Sequence, residues 1–87
     1  MAFKYRSRTD LIAAILQASL DPIGKTKIMF KAYLSHAQLK EYLDVMMQND
    51  LLQYDELKQT YVITENGYTV LKTYGSLDQI AALTNLA

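Results

Sequence analysis

The sequence predicts an α+β fold, mostly helical: three helices, a two-stranded β-hairpin and a closing C-terminal helix. Three observations predict it. Apolar residues recur at helical spacing in three separate stretches before residue 50, each bounded by a cap or a breaker. Two short runs rich in Leu, Tyr, Thr, Val and Ile then flank five polar-leaning residues, the pattern of a hairpin. The chain has 87 residues, 51% hydrophobic and 21% charged, which suits one small core and a single domain over residues 1–87. At that size the stability should be modest, roughly 4–13 kcal/mol.

Residues 1–8 read as a basic arm carrying Lys4, Arg6 and Arg8. Thr9 is the expected N-cap of the first helix, with Asp10 in its first turn. Leu11, Ile12, Ile15, Leu16 and Leu20 form its apolar stripe. Pro22 disfavours helix at Asp21, so the helix should end near Ser19–Leu20 and Asp21-Pro22-Ile23-Gly24 should be a turn. A second, short helix is expected over Lys25–Ala32, with Ile28, Met29 and Ala32 inward and Lys25, Lys27 and Lys31 outward. Tyr33-Leu34 makes a tight connection. Ser35 followed by Gln38 is a capping-box pattern opening a third helix. Its stripe is Leu39, Tyr42, Leu43, Met46 and Met47, and it stops near Asn49-Asp50.

The hairpin runs over Leu51–Tyr54 and Thr60–Ile63. Thr64 should cap the last helix, whose face is Val70, Leu71 and Tyr74. Gly75-Ser76 is expected to break it, with Ser76 and Gln79 recapping a final stretch. Most of the seven tyrosines, Tyr33, Tyr42, Tyr54, Tyr61, Tyr68 and Tyr74 among them, fall where core, hairpin or dimer packing accounts for them better than base stacking does. A short second helix, a tight turn, and a longer third helix running into a hairpin is the order of a winged helix-turn-helix.

Composition excludes several chemistries. Cys is 0, so there is no disulfide, thiolate nucleophile or Cys-ligated zinc, and His is 1, so no His-rich metal site. No apolar run approaches the roughly 18–20 residues of a membrane span, and no secretory leader is visible, so a cytoplasmic protein is the expectation. Gly24-Lys25-Thr26 imitates the tail of a phosphate-binding loop, but Ser19 stands where that motif needs glycine and a helix precedes it where a strand is required. No paired carboxylates or Ser–His–Asp set suggest catalysis. No enzyme activity, metal, cofactor or small-molecule substrate is expected.

Net charge is 0, yet the chain is polarised. Residues 1–40 hold seven cations against two carboxylates, and residues 41–87 hold two cations against seven carboxylates. A basic face is therefore possible despite the average.

Tyr5-Arg6-Ser7-Arg8, the run from Gly24 to Ala32, the run from Leu34 to Leu43 and Tyr61–Gly67 resemble small archaeal winged helix-turn-helix DNA-binding transcriptional regulators, over about residues 5–75. The resemblance implies that the third helix enters the major groove of double-stranded DNA, that the hairpin touches the backbone, and that the chain is a homodimer through its C-terminal segment, residues 64–87. Hydrogen-bonding side chains at the start of the third helix, Ser35, His36, Gln38 and Lys40, are the candidate base readers. Arg6, Arg8, Lys25, Lys27, Lys31 and Lys58 are the candidate phosphate contacts. Leu71, Tyr74, Leu77, Ile80, Leu83 and Leu86 are the candidate dimer stripe. Such a protein would act on the nucleoid in the cytoplasm. Two features depart from the family pattern: the wing carries Asp55 and Glu56 with one cation, Lys58, and the last helix is expected to be short. A protein-interaction winged-helix module and a sequence-neutral chromatin protein are the alternatives.

Overall fold

The computed structural model describes residues 6–84, with side chains described for residues 6–75. The elements follow the order α1 (Arg8–Ala18), β1 (Ile23–Gly24), α2 (Lys25–Ala32), α3 (His36–Gln48), β2 (Leu52–Asp55), β3 (Thr60–Ile63) and α4 (Glu65–Thr84).

The first helix starts two residues earlier than the sequence suggested. Ser7, not Thr9, is its N-cap: the Ser7 Oγ accepts from the Asp10 amide at 3.1 Å, and the Asp10 carboxylate accepts from the Ser7 amide at 2.9 Å. Ser-x-x-Asp closes a reciprocal box that Thr9 lacks the spacing to make. At the other end Ser19 is fully buried. Its hydroxyl donates back to the Ile15 carbonyl at 2.9 Å, and its own carbonyl accepts from the Ile63 amide at 2.8 Å. The end of α1 is thereby hooked to β3.

The expected turn at Asp21–Gly24 needs correction. Ile23 and Gly24 form a two-residue strand, with Ile23 opposite Tyr61 and Gly24 opposite Thr60. The sheet is thus three-stranded and antiparallel, ordered β1-β3-β2. Ile23 is buried, and pairing it satisfies backbone groups that a free turn would leave to solvent.

Helix α2 has the bounds expected of it. It ends in Tyr33, whose backbone is left-handed at φ 54°. Ser35 and Gln38 close the predicted capping box on α3. Leu39, Leu43 and Met46 of α3 join Ile15, Leu16, Ile28, Ala32, Leu34 and Leu52 in one core. Tyr42 is half-buried and Met47 exposed, so the buried stripe of α3 is narrower than its apolar stripe.

In the hairpin, Leu52 faces Ile63 and Tyr54 faces Tyr61, the last two rings lying 4.7 Å apart. The Asp55 carboxylate accepts from the Leu57 and Lys58 amides at 3.0 and 3.2 Å and shapes the loop. Thr64 caps α4 as expected, accepting from the Gly67 amide at 3.0 Å while donating to the Asp50 carbonyl at 2.6 Å. The break at Gly75 does not occur. Helix α4 runs through it for 20 residues. One helical glycine costs only about 1 kcal/mol, less than a continuous helix recovers from the residues on either side. Tyr74 ties this helix to α1, donating to the Asp10 carboxylate at 2.5 Å.

Candidate nucleic-acid interface

Helix α2 carries its cations outward because Ile28 and Ala32 are drawn into the core. Lys27 and Lys31 are exposed and Lys25 is half-exposed. From Pro22 to Lys40 the chain holds Lys25, Lys27, Lys31 and Lys40 and not one carboxylate. Helix α2, the turn and the first turn of α3 are thus the basic part of the molecule.

A cleft of about 650 Å³ separates the start of α2 from the base of the hairpin. Lys25, Thr26 and Lys27 line one side, Tyr54, Thr60 and Tyr61 the other. Burial, then the neighbouring Tyr54 and Asp44, push the Tyr61 phenol above its ordinary 10.0, so it keeps its proton at neutral pH. The cleft offers cations and hydroxyls together, suited to phosphate oxygens. Thr26, Thr60 and Tyr61 were not among the sequence-derived candidates. Only the pairing of β1 with β3 brings them beside the lysines, and that pairing is too short to read from pattern.

The four candidate base readers are all exposed at the start of α3. Two of them are engaged with each other. The Gln38 Oε1 accepts from the Ser35 amide and from the Ser35 hydroxyl, both at 3.2 Å, and the Ser35 Oγ accepts from the Gln38 amide. A bidentate pairing of Gln38 with adenine needs that same oxygen. Gln38 must therefore release its cap or use its amide nitrogen alone.

The core contacts of α3 also fix which residues lie farthest out. With Leu39, Leu43 and Met46 buried, a helix of 3.6 residues per turn sets Ala37, Glu41, Asp44 and Gln48 opposite them. Lys40 stands on one shoulder of that face and Gln38 on the other, while His36, in the first turn, lies nearer the core side. Sequence reasoning missed Glu41 and Asp44, although the same apolar stripe was enough to place them.

Among the candidate phosphate contacts, Arg8 is exposed beside α3, in a groove with Gln38, Glu41 and Tyr42. Arg6 has its guanidinium on the protein: it donates to the Ala32 carbonyl and, at 2.7 Å, to the Tyr33 carbonyl. There it caps the C-terminus of α2, where a cation suits the helix dipole. Lys58 is exposed in the hairpin loop next to Asp55 and Glu56.

Of the candidate dimer stripe, Leu71 packs on the core of the chain and Tyr74 bonds Asp10. Leu77, Ile80 and Leu83 lie on α4 beyond the described side chains, and Leu86 lies outside the described residues. Among the described residues no group of three or more His, Cys, Asp or Glu side chains is placed to hold a metal ion. No described helix is long and apolar enough to cross a membrane.

The sequence pattern of the winged helix-turn-helix family matches residues 5–82. Among solved structures, the chain is similar to Sso10a-2, a DNA-binding protein from Sulfolobus solfataricus. The two superpose with a TM-score of 0.81 at 20% identity, over 92% of this chain and 86% of the other. At that identity the likeness is one of fold. No curated protein matches the sequence.

Proposed function

The chain belongs to the winged helix-turn-helix family, and from that premise we propose that it binds double-stranded DNA as a homodimeric transcriptional regulator. The observation that carries this reading is the charge map. From Pro22 to Lys40, which spans α2, the turn and the first turn of α3, every charged side chain is a lysine, while most carboxylates of the chain lie beyond residue 40, Glu41 and Asp44 of α3 among them. The DNA-binding character of Sso10a-2, a protein of the same fold, supports it.

In this reading Lys25 and Lys27 hold phosphates at the mouth of the α2–hairpin cleft, Lys31 and Arg8 add sequence-independent attraction, and α3 lies in the major groove. Ser35, His36, Gln38 and Lys40 reach bases at the groove edge. The deeper positions Glu41 and Asp44 accept only, so a base they tolerate is cytosine, through its N4 amino group. Two carboxylates on the groove-facing side lower non-specific affinity and make binding depend on a matching site. Arg6 serves the fold by capping α2. The far half of α4, with Leu77, Ile80, Leu83 and Leu86, forms the dimer stripe, and its two-fold axis calls for a near-palindromic operator.

The test is binding to a random labelled duplex across a salt series, with the mass from light scattering on the same sample. A log–log slope of several units, near 0.9 per phosphate contact, is expected, followed by enrichment of one site in a selection. Absence of binding at low salt would favour the protein-interaction module, a reading the carboxylates Glu41, Asp44, Asp55 and Glu56 make specific.

Two substitutions sharpen the site. Gln38→Ala loses both the cap and any base contact. Gln38→Glu keeps the capping box and removes the amide donor. Both should lose about 1–3 kcal/mol on the selected site, and the glutamate variant should keep its melting temperature. Equal losses on selected and random duplexes remove Gln38 from the readers. Leu83→Asp should halve the scattering mass, because an unpaired charge is costly to bury in an apolar seam. An unchanged mass excludes that stripe as the interface.

A further inference from the structure

Tyr33 and Phe30 are the two most exposed aromatic rings among the described residues, at 84% and 68%. Sequence pattern assigned Tyr33 to packing, but its ring packs on nothing that buries it. On α2, with Ile28 and Ala32 buried, helical geometry sets Phe30 opposite the core, with Lys27 on the same outer face and Lys31 on its flank. Tyr33 follows at the end of the helix.

The backbone of Tyr33 makes the exposure more telling. It is left-handed, at φ 54° and ψ 52°, and closes a turn in which the Leu34 amide donates to the Met29 carbonyl. Glycine is the usual occupant of that position, because a side chain there meets its own backbone. A bulky aromatic residue in this conformation costs stability, and with the ring exposed the cost is not recovered by burial. The fold holds it by spending Arg6 on the Ala32 and Tyr33 carbonyls.

We propose that Phe30 and Tyr33 form a stacking platform for single-stranded nucleic acid, with Lys27 and Lys31 on its phosphates. The occupant follows from the chemistry of the patch. Aromatic faces bind unpaired bases, whose π-faces are open, whereas in a duplex those faces are already stacked. Phenylalanine offers nothing to a phosphate or a base edge. The surrounding charge is all positive from Pro22 to Lys40, which suits a polyanion. This activity goes beyond duplex recognition by α3 and draws on Lys27 and Lys31, which the duplex reading also places on phosphates.

The test measures anisotropy of a labelled oligo(dT) strand and of a labelled duplex with the full chain, Phe30→Ala and Tyr33→Gly. Removing either ring should weaken oligo(dT) binding by roughly five- to 150-fold, the range of one base–aromatic stack, and leave duplex affinity as in the parent. Tyr33→Gly should melt no lower than the parent, because glycine relieves the left-handed backbone. That result would show a residue kept for binding at the expense of stability. Failure of the parent to bind oligo(dT) at low salt overturns the proposal, as does unchanged binding in both variants. Equal losses on strand and duplex, or a change in light-scattering mass, would assign the rings to the duplex or to self-association and likewise overturn it. Duplex binding by the parent is scored separately, so the two readings fail independently.

Discussion

Gly67→Ala is expected to destabilise the protein by about 3 kcal/mol or more. Gly67 lies buried in the first turn of α4, where that helix leaves the sheet. A Cβ built there meets the Leu51 carbonyl oxygen at 2.3 Å, the Ile63 Cγ1 at 2.8 Å and the Leu16 Cδ2 at 3.1 Å. The first of these is backbone and cannot turn away. The Leu51 carbonyl accepts from the Thr64 amide at 3.1 Å, so pushing it aside also loosens the cap of α4. The helix must lift from the sheet and from α1, taking Leu71 and Tyr74 with it. In a domain this small the loss should lower the melting temperature by about 12–24 °C. A loss under about 1 kcal/mol would mean that α4 does not seat as closely as the geometry requires.

Gly75 supplies the contrast. Nothing lies within 4 Å of a Cβ built there, and the helix runs through it without a left-handed residue. Alanine at this position should therefore stabilise by up to about 1 kcal/mol. The sequence marked only Gly75. Gly75 followed by Ser-x-x-Gln looks like a break and a new cap, whereas Gly67 sits inside an ordinary helix pattern. Only the approach of Leu51 and Ile63 shows which one the fold needs.

The same division runs through the rest of the molecule. Helix α2, the capping box at Ser35 and the presence of a hairpin were legible because their signals are local: a cap, a period of 3.6, β-formers around a polar loop. The register was not, since Tyr54 pairs with Tyr61 where a five-residue loop would set it against Thr60. Strand β1 was not, since two residues carry no period and their role comes from distant Tyr61 and Thr60. In the candidate site, the cations of α2 and the polar start of α3 were readable by residue type. The capping duty of Arg6 was not, because it joins the N-terminal arm to the end of α2. Glu41 and Asp44 were within reach of sequence reasoning. They lie one turn beyond the polar helix start, on the face that the buried Leu39, Leu43 and Met46 leave outermost.

Replacing Lys25, Lys27 and Lys31 together by alanine is the substitution expected to change duplex binding most. Each phosphate contact adds about 0.9 to the slope of log K against log salt, so losing three lowers it by about 2.7 units. The counterion-release contribution grows as salt falls. At about 0.1 M the triple variant should bind several hundredfold more weakly, and near 1 M it should match the parent. The fold should survive, because Lys27 and Lys31 are exposed, Lys25 is half-exposed, and alanine favours helix. Random and selected duplexes should lose equally, since phosphates carry no sequence. Taken singly, Lys27→Ala should lower the slope by about one unit, and an unchanged slope would remove Lys27 from the backbone contacts. The carboxylates oppose these lysines. If Glu41 and Asp44 face the groove, Glu41→Gln should strengthen binding to random duplex while erasing preference at one base pair. The cationic α2 would then supply attraction, and the acidic face of α3 would supply the discrimination that attraction alone lacks.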